Sequence, residues 1–263
     1  MNTLLNTVIL FNEIIFGPVR SRRLGVSLGV NLLPVDAKIC SFDCIYCECG
    51  FNTTIKESPI PTRLQVYEAL ETKLQEMVTE DLYPDNITFA GNGEPTLHPH
   101  FEGIIDDTIE LRNRYCPKAK VSVLSNSSRM HKTSIFNALL KVDSNILKFD
   151  SAFDETVRRL DRPVGKYFNV AWQIEQLKRF EGNLIIQTMF LRGILDDGVI
   201  DNTTETELNA WLDALKIIKP RQVMIYTIDR EAPTKGLEKI SLAELNRIAD
   251  KAKAEGFDVM VSD

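Results

Sequence analysis

The sequence predicts an α/β fold with a parallel sheet, in a single domain over residues 1–263. Two observations predict it. Short β-rich runs alternate with amphipathic stretches of helical period along most of the chain, and strands that alternate with helices pair in parallel through right-handed crossovers. The cysteine-bearing, glycine-bearing and polar stretches fall just after the β-rich runs, where parallel α/β proteins place their ligands.

Residues 1–24 form a lead-in, within which Thr7–Ile15 has an apolar run whose period fits a strand or a short helix equally. Gly25–Leu33 reads as the first strand and ends at Pro34. Pro61–Val78 carries an apolar stripe of Leu64, Ala69, Leu70, Leu74 and Met77, with Thr62 and Gln65 spaced as a capping box. Asn86–Ala90 is the second strand, and a helix is expected from Pro99 to about Arg114. Val121–Leu124 and Ile146–Phe149 are the third and fourth strands, separated by a helix at Thr133–Leu140. Asn169–Phe180 is helical and stopped by Gly182. Leu184–Phe190 is the fifth strand. Thr204–Ile218 is a helix that stops before Pro220, and Gln222–Ile228 is the sixth strand. Ser241–Glu255 closes as a helix with Ser241 and Glu244 as a capping box, and Phe257–Val261 is a last short strand. Six such units fall short of the eight that close a barrel.

The composition bounds the function. Hydrophobic residues make up 44% and charged residues 26% of the 263, ordinary values for a protein with a large core. The net charge of -6 argues against a large nucleic-acid footprint. There is no apolar run of the roughly 18 residues that span a bilayer, and Met1–Phe11 lacks the basic lead and cleavage site of a signal peptide. Clustered cysteines are expected in a reducing, cytoplasmic setting. Arg20, Arg22 and Arg23 follow a Gly-Pro turn and read either as a solvated patch or as an anion site near the barrel mouth.

The chemistry centres on Cys40–Cys49. Four of the five cysteines lie in these ten residues, and Cys40, Cys44 and Cys47 are spaced C-x3-C-x2-C. Three thiolates so close in sequence converge with little chain-closure cost, and a cubane iron–sulfur cluster takes thiolates at its irons. Three ligands leave one iron open. The competing reading is a structural zinc knot on Cys40, Cys44, Cys47 and Cys49, and so a metal-stabilised binding module. Zinc sites usually have two separated ligand pairs, whereas no second C-x2-C pair exists and His98, His100 and His131 lie far along the chain. Cys116, just before Pro117, stands apart from the cluster.

This loop, with Tyr46 before its last cysteine, resembles the signature of the radical S-adenosylmethionine (radical SAM) enzymes. The lead-in Gly17–Gly25 and Ser27–Pro34 resembles the subgroup that includes wybutosine-synthesis-like enzymes. The resemblance runs from Phe16 to the 230s and implies a partial (β/α)6 radical SAM barrel. It implies a [4Fe-4S] cluster on Cys40, Cys44 and Cys47 whose fourth iron holds SAM. A one-electron donor, flavodoxin- or ferredoxin-like, would reduce the cluster. Reductive cleavage of SAM then yields a 5′-deoxyadenosyl radical that abstracts hydrogen, an oxidoreductase-type chemistry. The substrate is left open between peptide, protein and small molecule.

The resemblance also assigns cofactor contacts. Gly91-Asn92-Gly93-Glu94-Pro95 is similar to the family's glycine-rich stretch that holds the methionine amino group of SAM, and glycines let a backbone approach a ligand. Tyr46 is expected beside the adenine. Ser125, Asn126 and Ser151, at strand ends, are expected at the ribose hydroxyls or methionyl carboxylate, and Gln187 is expected to line the pocket.

Overall fold

A computed structural model describes residues 9–53, 59–165, 167–230 and 232–262. Two compact units divide it, one of Leu10–Ser41 and Asn52–Leu147, the other built on Phe42–Phe51 and Lys148–Asp263. Among the described residues no helix is long and apolar enough to cross a membrane.

The first unit opens with β1 (Ile15–Ser21), antiparallel to β2 (Gly25–Val30). From β2 the strands run in parallel through β3 (Asn86–Phe89), β4 (Lys120–Ser125) and β5 (Ser144–Lys148, of which Ser144–Leu147 belong here). These are four of the six predicted strands, in the predicted order. Leu28, Val30, Ile87, Phe89, Val121 and Val123 are essentially inaccessible, as expected for parallel strands covered on both faces. Positions 7 and 8 of the expected Thr7–Ile15 element lie outside the described residues, and its last residue begins β1.

Three helices cover these strands: α1 (Arg63–Thr79), α2 (Phe101–Tyr115) and α3 (Thr133–Lys141). The Thr62–Gln65 capping box forms in both directions, at 3.2 and 2.8 Å. The buried stripe of α1 is Val66, Leu70, Leu74 and Met77. Leu64 faces solvent instead, because the i, i+4 ladder that meets the sheet starts at Val66. The helix expected at Pro99 begins at Phe101, after a single 3-10 turn over Pro95–Leu97.

The β1–β2 hairpin corrects the arginine expectation. β1 runs against β2, so its turn, with Arg22 and Arg23, lies at the start of the parallel strands, where Asp85 Oδ2 accepts from the Val26 N–H at 2.8 Å. In this unit that is the end opposite to the loops that follow β2, β3 and β4, so the arginines do not stand at the mouth.

In the second unit, α4 (Asp154–Leu160) and α5 (Val170–Lys178) precede β6 (Ile185–Met189). β7 (Leu191–Leu195) and β8 (Gly198–Asp201) form a hairpin, and α6 (Glu205–Ile218) leads into β9 (Gln222–Tyr226). β10 (Leu237–Lys239), α7 (Leu242–Ala254) and β11 (Val259–Ser262) complete it. β6, β9 and β11 are parallel neighbours, while β10, β7 and β8 form a separate antiparallel sheet that the sequence reading did not contain. The Ser241–Glu244 box is only half formed. Ser241 Oγ accepts the Glu244 N–H at 3.3 Å, but the Glu244 carboxylate is held by Arg192.

Trp211 of α6 anchors this unit. It is 2% exposed, meets Phe190 edge to face at 5.3 Å, and donates from Nε1 to Thr188 Oγ1 at 3.0 Å. Trp211→Ala is expected to cost about 3–5 kcal/mol, whereas Leu64→Ala should stay within about 0.5 kcal/mol. Denaturant midpoints at constant slope measure both.

Candidate functional site

In the first unit, the loops after β2, β3 and β4 are tied together by buried side chains. Asn31 Oδ1 accepts the Asn92 N–H at 3.1 Å. Asn92, fully buried, donates from Nδ2 to the carbonyls of Phe11 and Pro34, each at 2.8 Å, and accepts the Phe11 N–H. Ile39 pairs with the glycine-rich stretch as a short strand would. Its N–H donates to Asn92 O at 2.9 Å and its carbonyl accepts from Glu94 N at 3.2 Å.

This pairing explains the glycines. Gly93 sits at φ +134, and a Cβ there would lie 1.8 Å from the Ile39 carbonyl oxygen; Gly91, at φ +153, would put one 2.4 Å from Asn31 Oδ1. The close approach that glycine permits is thus to the chain leading into Cys40.

Glu94 is 2% exposed and both its oxygens are engaged. Oε1 accepts from Thr96 N at 3.1 Å, Thr96 Oγ1 at 2.6 Å and Ser125 Oγ at 2.9 Å; Oε2 accepts from Asn126 N at 2.6 Å. Burial pushes its pKa up, opposed by those donors. Glu94 therefore binds the end of β4 to the glycine-rich stretch. Ser125 Oγ, which also accepts the Ser127 N–H at 3.1 Å, belongs to the same lock. Asn126 points its amide at Ser41 and at Cys40 Sγ, 3.5 Å away.

In the second unit, the rest of the cysteine loop rests on the end of α4. Asp43 N donates to the Asp161 carbonyl and Ile45 N to the Leu160 carbonyl, both at 3.0 Å, and Phe42 packs edge to face on Phe168 at 4.9 Å. Cys47 N closes a turn onto Cys44 O at 3.2 Å. Beneath the loop is a buried ionic group. The Tyr46 hydroxyl lies against Asp150 and 3.0 Å from Asp161 Oδ1, and Lys148 donates to it. Lys148 Nζ also reaches Asp150 Oδ2 at 2.9 Å and lies 4.7 Å from the centre of the Tyr46 ring. Cys44 Sγ donates to Asp161 Oδ1 at 3.4 Å.

Burial, reinforced by the Asp150 and Asp161 charges, pushes the Tyr46 hydroxyl well above its ordinary pKa. Burial and the Asp150 charge push Asp161 up to about 7, against the pull of Lys148. Burial by itself would lower Lys148, but the two aspartates outweigh it and hold the ammonium charged.

Ser151 is 1% exposed; its hydroxyl donates to Glu207 Oε2 at 2.7 Å and accepts the Phe153 N–H at 2.9 Å. Gln187 sits half-buried in the middle of β6, with its carbonyl taken by Phe149 N at 3.0 Å. Lys148, Asp150 and Asp161 are site residues the sequence reading missed. Asp150 stood visibly at a strand end, but nothing local marked the other two.

None of the five cysteines, all of them described, is in a disulfide. Cysteine sulfurs are soft donors of the type that iron–sulfur clusters take. Among the described residues, no three His, Cys, Asp or Glu side chains gather as the ligands of a single metal ion. Cys116 lies buried outside the loop, and burial pushes its thiol up to about 11.

Glu94→Ala would leave four donors without their acceptor, an expected loss of about 2–4 kcal/mol in a denaturant titration. The raised Glu94 pKa also has a pH signature. A carboxyl whose folded pKa exceeds its unfolded value of about 4.3 favours the fold when protonated, and that increment fades as pH rises through the folded value. Glu94→Gln should therefore lose less stability than the wild type as pH rises above about 4.

A profile of the radical SAM superfamily matches residues 35–205, more than half of the chain. A UPF0026 protein of Helicobacter pylori (strain J99) is 32% identical over 237 residues, covering 88% of this chain and 71% of that protein. Among solved structures, a radical SAM methyltransferase from Sphaerobacter thermophilus aligns with a TM-score of 0.65 and 13% identity, over 90% of this chain and 65% of that one. Streptococcus suis SuiB bound to S-adenosylmethionine aligns with a TM-score of 0.63 and 13% identity, over 88% and 51%. The chain thus spans between about half and two-thirds of the length of these two proteins. At this identity the likeness shows the fold, the α/β radical SAM class expected from the sequence. The chain belongs to the radical SAM superfamily and to the UPF0026 family.

Proposed function

We propose that the protein binds a [4Fe-4S] cluster through Cys40, Cys44 and Cys47 and cleaves S-adenosylmethionine reductively to act on a peptide, protein or small-molecule substrate. One observation carries the reading: the C-x3-C-x2-C triad lies inside the span matched by the superfamily profile. The SAM bound to SuiB supports the choice of cofactor. When bound, the cluster and SAM supply a 5′-deoxyadenosyl radical that takes a hydrogen atom from the substrate.

The chain's own residues supply ligands, position and shelter. Cys40, Cys44 and Cys47 are the ligands, and Cys49 is not needed. Of the cofactor-facing set Tyr46, Gly91, Asn92, Gly93, Glu94, Ser125, Asn126, Ser151 and Gln187, several side chains are committed to the fold. Asn92, Glu94, Ser125 and Ser151 act by fixing main-chain groups at the strand ends, and the main chain of residues 91–94 receives the methionyl ammonium. Gln187 faces the nucleoside. Tyr46 keeps its ring at the loop because Lys148, Asp150 and Asp161 hold its hydroxyl. The electron comes from a flavodoxin- or ferredoxin-like donor in a reducing cytoplasm. Residues 1–263 form one radical SAM core of the wybutosine-synthesis-like subgroup, which the lead-in stretches Gly17–Gly25 and Ser27–Pro34 support.

Anaerobic reconstitution should give about four irons per chain and a brown protein that converts SAM to methionine and 5′-deoxyadenosine under reduction. Cys40→Ala, Cys44→Ala and Cys47→Ala should each lower both signals to background, while Cys49→Ala keeps them. Stoichiometric zinc that depends on Cys49, with no SAM cleavage, would overturn the proposal.

A further inference from the structure

The Asn126 carboxamide follows β4, is 6% exposed, and has its orientation fixed by a group that can only donate. Oδ1 accepts the Ser128 N–H at 3.1 Å, and also lies 3.3 Å from Ser41 Oγ. A backbone N–H has no lone pair to offer, so the amide oxygen must be on that side and the nitrogen on the other. Nδ2 then donates to Ser41 Oγ at 2.9 Å and to Cys40 Sγ at 3.5 Å, within bonding reach of the larger sulfur atom. The main chain beneath is held by the Glu94 carboxylate through the Asn126 N–H. Ser41 is itself fixed by Ser128 Oγ at 2.6 Å. The neighbouring ligand is treated differently: Cys44 Sγ faces the Asp161 carboxylate.

We propose that Asn126 is a positioning residue that tunes the iron–sulfur cluster, its Nδ2–H donating to Cys40 Sγ and raising the cluster's reduction potential. The inference rests on the proposed cluster. Reduction adds one electron, which spreads onto the ligand sulfurs and strengthens a hydrogen bond to them. A donor at Cys40 therefore stabilises the reduced state more than the oxidised one. Loss of the donor lowers the potential, whereas loosening that merely admits water raises it, so the sign separates tuning from a structural role.

The test is an EPR-monitored redox titration of reconstituted wild type, Asn126→Ala, Asn126→Asp and Ser41→Ala. Asn126→Asp keeps an acceptor for the Ser128 N–H and so protects the turn if the alanine change unfolds it. Both Asn126 variants should shift the one-electron equilibrium toward the oxidised cluster by about tenfold, about 59 mV more negative. Ser41→Ala, which leaves the Asn126–Cys40 contact, should match the wild type. An unmoved or more positive potential in the Asn126 variants overturns the tuning role and leaves the enzyme reading standing. A wild type that assembles no cluster overturns both.

Discussion

A single close approach of two backbones sets up the loops of the first unit. Gly93 lies so near the Ile39 carbonyl that no side chain fits between them. The short bridge they form places Cys40 next to the end of β4. Buried polar groups are costly unless paired, and here Asn31, Asn92 and Glu94 pair with main-chain groups of segments far apart in sequence. Each of these bonds is satisfied only if all three loops keep their register. The three loops are therefore held to one another by the fold's own polar groups.

The second unit, described by itself, depends on charge compensation. Asp150 and Asp161 have almost no exposure, and two carboxylates so near each other cannot both stay ionised without a cation. Lys148 supplies it and Tyr46 shares it through its hydroxyl. The group holds the aromatic ring and Cys44 in one orientation, and removing Lys148 would leave the two buried aspartates without a cation.

Much of this was legible from the residues, and the exceptions have physical causes. The parallel strands announced themselves as short apolar runs, since strands covered on both faces need no alternation. The cysteine loop was legible because its cysteines lie close together in sequence. The β7–β8 hairpin has no counterpart in the sequence expectations although Asp197-Gly198 is a hairpin turn signal: the fifth strand is expected to end at Phe190, and β7 follows β6 with only that residue between them, so no turn signal marks where a new strand begins. Helix α4 was missed because its seven residues are mostly charged. Asp161 and Lys148 acquire their meaning from pairing with Tyr46 across more than 100 positions, which no local window contains. Glu94 stands out in the sequence as a carboxylate at a strand end, and in the structure its partners are donors from the fold itself.

The proposed chemistry depends on an iron corner that no protein sulfur occupies. Electron–nuclear double resonance of the reduced, cluster-loaded protein, with SAM carrying 15N at the methionyl amino group, tests it directly. A nitrogen coupling transmitted through a bond to iron is the expected result. A cluster signal unchanged by SAM, with no nitrogen coupling, would contradict the account.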